Sequence, residues 1–227
     1  MDIKPPKNGS EQFGQRYAHE LDTPSQAPVV PEPHHKKSES WRSVFGTLVL
    51  FSLAPIIAVC IAAFALQSYQ VDGSSMETTL QNRDRLIVDK LPRTLARLTG
   101  RQYVPKRGDI IVFNESGLFD SNGLAEKQLI KRVIGLPGDR VVIQNNIITI
   151  YNAQHPNGFD PDTSLGYKIS QPTQHGGTWT LKANQVFVCG DNRTNSEDSR
   201  FFGPINSNQI VGQLILRIIP LNKAERF

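Results

Sequence analysis

The chain has few of the residues on which several kinds of functional site depend. Its 227 residues include two cysteines, Cys60 in an apolar run and Cys189 in a β-like run, so no disulfide framework is indicated. The formal net charge is +4, and no run of Lys and Arg is dense enough to indicate nucleic-acid binding. The five histidines do not cluster with other ligands. We therefore expect neither a nucleic-acid partner nor a metal site.

Large apolar residues are also scarce in residues 1–42. Six of the 15 prolines lie there, and the basic and acidic side chains cancel. Such a segment cannot bury enough surface to offset the entropy lost on ordering. The sequence predicts a disordered tail over residues 1–42.

Charge is absent from the 24 residues 43–66, a length sufficient to cross about 30 Å of hydrocarbon as a helix. Lys36, Lys37 and Arg42 precede this run, whereas Asp72 is the one charge in the residues just after it. The excess of basic residues on the N-terminal side predicts a cytoplasmic N-terminus. We expect a transmembrane helix over 43–66 with everything after it on the far side; a buried helix of a soluble protein is the alternative.

The remainder, residues 67–227, contains short apolar runs rich in Val, Ile and Phe and separated by Gly, Pro, Asn and Asp. These runs are 86–88, 110–113, 141–150, 186–188 and 210–219. Their spacing favours a mainly antiparallel β domain. Residues 91–100 differ, because Leu91, Leu95 and Leu98 recur at helical spacing with arginines on another face. This segment is either a basic helix at the lipid headgroups or an ordinary solvated helix.

Ser75 lies in a polar turn, Val71-Asp72-Gly73-Ser74-Ser75-Met76-Glu77-Thr78-Thr79-Leu80, a few residues beyond the apolar run. A serine nucleophile needs an adjacent base. No histidine is well placed for that role, because three lie in the tail and two in loop-like sequence: His19, His34, His35, His155 and His175. A buried, neutral lysine can serve instead.

Lys131 is the candidate base, in Leu129-Ile130-Lys131-Arg132-Val133-Ile134-Gly135. Strand alternation places Lys131 and Arg132 on opposite faces, but does not say which side chain points inward. Arginine stays protonated in proteins and cannot act as a base, which favours Lys131. A surface lysine on an edge strand is the alternative when this residue is considered alone.

Five blocks in fixed order make the chain resemble the type I signal (leader) peptidases. They are the apolar run, Gly73 to Leu80, Arg107 to Phe113, Lys131 to Asp139 and Gly190 to Arg200, and they span residues 43 to about 220. The resemblance implies an antiparallel β-sheet catalytic domain, like that of signal peptidases and self-cleaving repressors, behind one transmembrane helix. The segment between Ile143 and Val186 resembles the family's variable lobe, here short, at about 144–185; a plain loop without function is the default interpretation of it.

Carried over residue by residue, the resemblance implies Ser75 as nucleophile and Lys131 as general base. Met76 would line the site, and Ser196 would hydrogen-bond and orient the lysine. Asp198 and Arg200 resemble the family's structural ion pair, and Asp191 with Asn192 a turn that holds the same loop. The Ser75 backbone N–H is expected to bind the oxyanion together with a second donor.

One departure concerns Thr78, which stands where the family's motif usually has proline, and we expect a looser turn there. Gly73 likewise stands where one branch of the family places a serine that completes the oxyanion hole. For the substrate pockets, the sequence offers the runs 110–113 and 141–143 as possible walls.

The implied activity is removal of N-terminal signal peptides from exported preproteins after small residues, with no cofactor. The implied partners are preproteins and the lipid bilayer, and a monomer is expected. The catalytic domain would lie on the extracytoplasmic face of a bacterial plasma membrane or a thylakoid-type membrane. Two alternatives stay open: a self-cleaving repressor-type peptidase, disfavoured by the apolar run, and a non-catalytic, membrane-anchored protein that binds preproteins.

Overall fold

The structure is a computed structural model that describes residues 41–116 and 126–227. The chain divides into two units, Met1–Thr47 and Leu48–Phe227. Most of the predicted disordered tail lies outside the described residues. Helix α1 (Trp41–Ala65) covers the predicted apolar helix, with Pro55 inside it, and every side chain from Val44 to Val59 is exposed. Among the described residues, no helix reaches the length and hydropathy needed to cross a membrane.

The described residues beyond α1 are rich in strands, as the short β-branched runs predict. The strands are β1 (Leu66–Gln70), β2 (Arg85–Asp89), β3 (Ile110–Ser116), β4 (Glu126–Gly135), β5 (Arg140–Gln144), β6 (Ile147–Tyr151), β7 (Gly177–Thr180), β8 (Gln185–Cys189), β9 (Ile205–Asn206), β10 (Ile210–Ile219) and β11 (Glu225–Arg226). The remaining α-helices are α2 (Leu91–Leu98), α3 (Pro161–Ser164) and α4 (Ser199–Phe202).

The larger sheet has the strand order β1-β2-β10-β3-β4-β8-β9, with β11 paired to β10. Every strand pair in the described part of the chain is antiparallel, which confirms the mainly antiparallel β prediction. Strand β10 lies between β2 and β3, so the last long strand of the chain occupies the middle of the sheet. The strand that bears Lys131, β4, lies between β3 and β8 and is not an edge strand.

A smaller sheet, in the order β6-β5-β7, follows β4 along the chain. The apolar run 141–150 is not one strand but a hairpin, because Asn145 and Asn146 adopt φ angles of 52° and 64° between β5 and β6. Asn tolerates this left-handed region better than most residues, and tight hairpins require it. The segment predicted as a variable lobe, 144–185, supplies β6, α3 and β7, so it is more than a plain loop.

Four groups of buried apolar side chains support the sheets in the described part of the chain, and the smallest consists of Val88, Val112 and Val211. One joins the smaller sheet to β4 and β8 through Ile134, Val141 and Phe187, and another lies under β3, β8 and β10. The third gathers Val71, Met76, Leu80, Leu86, Ile110 and Leu214. Because Met76 and Leu80 belong to the turn after Ser75, this third group fixes the turn to the sheet.

Candidate active site

Ser75 lies in the connection between β1 and β2, and backbone hydrogen bonds define the shape of that connection. Its base is closed by Val71 N donating to Asp84 O at 2.9 Å and Arg83 N donating to Val71 O at 2.9 Å. Leu80 N donates to Met76 O at 2.8 Å, so the residues after Ser75 form a helical turn. Met76 is 1% exposed and Leu80 is fully buried. Buried apolar side chains on the C-terminal side therefore hold the serine in place.

Lys131 approaches this turn from β4, where it pairs with Ile111 of β3. Its Nζ donates to Ser75 Oγ at 2.7 Å, although the two residues are 56 positions apart in sequence. Lys131 is 3% exposed. The structure thus brings together the two residues for which the sequence predicted nucleophile and base.

Burial changes the protonation of this lysine. Desolvation lowers the pKa of Lys131 from 10.5 to about 8, because a charge is poorly solvated in the interior. The negative charge of Asp198 opposes that change, and the positive charge of Lys127 adds to it. A minor fraction of Lys131 is therefore neutral at pH 7, and the fraction grows as the pH approaches 8; the neutral amine can accept a proton from a hydroxyl.

The loop that follows β8 holds the Ser75 turn by its backbone. Asn192 N donates to Ser75 O at 3.0 Å, and Asn192 Nδ2 donates to Ser74 O at 3.1 Å. A Cβ built on Gly190 would lie 2.4 Å from Ser75 O and 2.3 Å from Ser196 Oγ, closer than real atoms approach. Glycine at 190 thus permits the close contact between the two segments.

Asp198 lies behind this loop and collects several donors. Arg200 Nε and Nη2 donate to its carboxylate at 2.7 and 2.8 Å, and both side chains are fully buried. Gly190 N donates to it at 2.9 Å and Ser196 Oγ at 2.7 Å. The hydrogen bond that Ser196 donates is thus to Asp198, and its role in orienting Lys131 stays a prediction.

Arg132, next to Lys131 on β4, faces the opposite way. Its Nε and Nη2 donate to the two carboxylate oxygens of Asp191 at 2.8 and 2.6 Å. Thr79 Oγ1 donates to the same carboxylate at 2.5 Å, and the Tyr167 ring lies 4.3 Å from the guanidinium carbon. Arg132, which stays protonated, is therefore paired with a carboxylate, whereas Lys131, which can lose its proton, contacts the serine.

Residues 44–219 match the family described as signal peptidase, peptidase S26. The chain belongs to this family. Its relatives include signal peptidase I of Leptolyngbya laminosa, 32% identical over 202 residues that cover 88% of this chain and 91% of the relative. Signal peptidase I of Bacillus caldolyticus is 34% identical over 183 residues, 74% of this chain and 89% of the relative.

Among solved structures, a signal peptidase I from Enterococcus faecalis V583 matches with a TM-score of 0.35 and 26% sequence identity. That match covers 48% of this chain and 96% of the Enterococcus chain.

Thr78, where the signal peptidase family usually has proline, has a φ of 88°. Proline is locked near −65°, so proline would not fit this backbone. The Thr78 hydroxyl instead donates to Lys168 O at 2.6 Å. The turn, which the missing proline led us to expect to be looser, is thus braced by the hydrogen bond that Thr78 donates to a segment 90 residues further along the chain.

The Ser75 backbone N–H donates to no acceptor among the described residues, which leaves it available to a substrate carbonyl. The runs offered as pocket walls, by contrast, belong to the core: Ile110, Ile111, Val112, Phe113, Val141 and Ile143 are at most 3% exposed. That expectation was wrong for those side chains, because their strands turn them into the protein. The rings of His155 and His175 pack at a tilt against those of Phe159 and Phe201, with centroids 4.6 and 4.5 Å apart.

Two supporting contacts escaped the sequence reasoning. Asn195 Nδ2 donates to Ser74 Oγ at 2.6 Å, and Arg193 forms a buried ion pair with Asp162 of α3. Both join segments far apart in sequence, and neither follows a local pattern. Within residues 41–116 and 126–227, no group of three His, Cys, Asp or Glu side chains is arranged to hold a metal ion.

Proposed function

We propose that this protein is a serine endopeptidase that removes N-terminal signal peptides from exported preproteins, with Ser75 as nucleophile and Lys131 as general base. The observation that carries the proposal is the 2.7 Å contact between Lys131 Nζ and Ser75 Oγ. The lysine is buried, and its burial lowers the pKa of Lys131 to about 8. Membership of the signal peptidase family gives the substrate class. The relatives are named signal peptidase I.

In the first half of the reaction, neutral Lys131 accepts the Ser75 proton as Oγ attacks the carbonyl carbon at the end of the signal peptide. A tetrahedral oxyanion forms, and the Ser75 N–H is available to stabilise it. The C–N bond then breaks, and the proton held by Lys131 passes to the departing amine of the mature protein. An ester between Ser75 and the signal peptide remains.

In the second half, neutral Lys131 accepts a proton from a water molecule, and the hydroxide attacks the ester carbonyl. Collapse of this second intermediate breaks the bond to Oγ, and the proton returns to Ser75. The signal peptide leaves with a new carboxylate. Each proton moves between Lys131 and a group beside it, so one lysine serves both steps.

We further propose that α1 anchors the chain in the membrane, with the N-terminus cytoplasmic and the catalytic domain outside. Signal peptidase I proteins are membrane-associated in bacteria. The sequence supports this proposal, because residues 43–66 carry no charge over a length sufficient to cross the bilayer as a helix, and the basic residues precede them. The site would then lie near the surface where a signal peptide leaves the bilayer.

The test is cleavage, in detergent, of a preprotein with an Ala-X-Ala junction. We expect the wild type to cut at the junction, and Ser75→Ala and Lys131→Met each to lose activity by about 10²–10⁴-fold or more. Ser68→Ala and Lys182→Met are matched controls, because both residues are exposed and outside the site. Circular dichroism melts would show that each variant is folded.

Undiminished cleavage by folded Ser75→Ala or Lys131→Met would overturn the Ser/Lys mechanism. Binding of the preprotein by the wild type without any cleavage would favour the alternative, a non-catalytic relative. Mapping the position of the cut in the preprotein shows whether cleavage occurs at the Ala-X-Ala junction or results from a contaminating protease.

A further inference from the structure

Helix α2 is amphipathic, but it presents its apolar side outward. Leu91, Leu95 and Leu98 lie at spacings of four and three residues, on one face, and are 37%, 57% and 79% exposed. None of the eight residues of α2 is buried. We call these three side chains the leucine face. A surface helix of a soluble domain usually turns such a face toward the core.

The opposite side of α2 faces the domain. Pro92, Arg93 and Ala96 are the half-buried residues of the helix, and Arg93 Nη2 donates to Asn208 O at 3.3 Å. An arginine thus lies toward the protein while three leucines point away from it. This orientation indicates that another apolar medium covers the leucine face.

The charged residues of α2 and of the segment after it are all basic, although Asp89 precedes the helix and accepts from Leu91 N at 2.8 Å, and Arg107 is paired with Asp139. Residues 90–108 contain six basic side chains and no acidic one: Lys90, Arg93, Arg97, Arg101, Lys106 and Arg107. Arg97 and Arg101 are exposed and form no ion pair within the described part of the chain. A cationic rim beside an apolar face complements a surface that is both anionic and apolar, which is the character of a bilayer with anionic headgroups.

The position of α2 in the fold favours the same partner. Lys90 N, just before α2, donates to Ala65 O, the last residue of α1, at 2.8 Å. In the β1–β2 ladder, Leu66 pairs with Asp89, and Leu66 is itself 42% exposed. The leucine face therefore begins beside the C-terminal end of the long apolar helix.

We propose that α2 lies in the headgroup layer of an anionic bilayer, with the leucine face toward the acyl chains and Arg97 and Arg101 at the phosphates. The inference rests on the proposed anchoring of α1, and it adds a second contact that fixes the height and tilt of the domain. Three leucines alone bind weakly, but the anchor holds them at the surface, so a modest affinity suffices.

The experiment places a nitroxide on the leucine face of the full chain. Leu98→Cys is made in a Cys60→Ala background; Cys189 is fully buried and stays. The labelled protein is reconstituted in phosphatidylcholine vesicles with and without phosphatidylglycerol. Accessibility to oxygen and to a water-soluble nickel complex then reports the depth of the label. Ile147→Cys is the matched control, since Ile147 is 52% exposed on the smaller sheet, away from this basic segment.

We expect the label at 98 to be accessible to oxygen and shielded from nickel in vesicles containing phosphatidylglycerol, and the label at 147 to stay accessible to nickel. Replacing Arg97 and Arg101 by glutamine should lower the ratio of inserted to water-exposed label about fivefold for each charge. Lys182→Gln with Arg226→Gln, two exposed cations elsewhere, should leave the ratio unchanged.

Equal nickel accessibility at 98 and 147 in vesicles that carry the protein would overturn the α2 proposal and leave the anchor intact. Failure of the full chain to float with the vesicles would overturn both. Concentration-dependent broadening of the label at 98 in detergent would assign the leucine face to a second copy of the chain instead. None of these outcomes involves peptidase activity, so the proposed Ser/Lys mechanism is judged separately.

Discussion

Strand β4 carries two adjacent cations whose surroundings differ in kind. Lys131 is buried against Ser75 and its one side-chain hydrogen bond in the described structure is to a neutral hydroxyl. Arg132 is nearly as buried, yet it forms a bidentate pair with Asp191. Successive side chains of a strand point to opposite faces, so a separation of one residue is enough to create both environments.

The comparison shows how a lysine can remain partly neutral beside carboxylates. Asp191 is paired with Arg132, and Asp198 with Arg200, so two of the carboxylates near the site each have a fixed cation. Arginine suits this role because it does not lose its proton. The paired carboxylates hold the loop against Ser75, and their arginines oppose their charge, although Asp198 still raises the pKa of Lys131.

Arg200→Leu breaks this arrangement and should have the largest effect on folding. It leaves Asp198 buried without its cation, which typically costs about 3–5 kcal/mol. Because the charge of Asp198 raises the pKa of Lys131, losing Arg200 should also move the acid limb of the pH–activity profile to higher pH. Urea unfolding and a pH profile of kcat/KM measure the two effects. Arg226→Leu, at an exposed arginine, is the control, and an unchanged unfolding midpoint for Arg200→Leu would contradict the prediction.

Lys131→Met sharpens the comparison by removing the cation that lacks a carboxylate partner. Below pH 8 the lysine is protonated in both folded and unfolded chains, so the folded chain carries the full penalty of a buried charge. This loss of unfolding free energy disappears as the pH rises from about 8, the pKa in the folded chain, to 10.5, the pKa in the unfolded chain. The difference between the two pKa values corresponds to about 3 kcal/mol.

We therefore expect the inactive Lys131→Met variant to be about 2–3 kcal/mol more stable than wild type at pH 7, with the difference shrinking toward pH 10.5. Urea unfolding across that pH range measures it. Lys182→Met should show no such trend, because Lys182 is exposed. A difference that stays constant with pH would mean that the charge on Lys131 is not the cause.

Lys127→Gln should have the smallest effect. The positive charge of Lys127 lowers the pKa of Lys131, so its removal should move the acid limb of kcat/KM slightly to higher pH. The maximal rate should be unchanged, because Lys127 is exposed and outside the site. Lys182→Gln is the matched control, and a shift to lower pH in Lys127→Gln would contradict the electrostatic account.

Local patterns predicted much of this fold. The apolar runs around Leu86, Ile111 and Phe187 became strands, and the periodic leucines from Leu91 became α2. The hairpin at Asn145 was not predicted, although the polar residues Gln144, Asn145 and Asn146 interrupt the apolar run 141–150. The short strand β1 was missed because it directly follows α1 and has little apolar character of its own.

The sequence predicted the chemical roles of the site residues but not the contacts between them. A serine in a polar turn and a lysine in an apolar strand suggested the pair, and ordered blocks added the family resemblance. The alternation of side chains along β4 could not show which of Lys131 and Arg132 contacts the serine, because the partner of each residue comes from a distant segment. The φ of Thr78 and its contact with Lys168 likewise depend on chain that is remote in sequence.

The central position of β10 has a consequence for biosynthesis. Strands β2 and β3 each pair with β10 and not with each other, so the part of the sheet that carries the Ser75 turn and the part that carries Lys131 are joined only when residues 210–219 arrive. Pairings of such long range are slow, because loop closure precedes the contacts that stabilise it. A nascent chain that has already displayed Ser75 and Lys131 therefore still lacks the central strand that joins their two parts of the sheet.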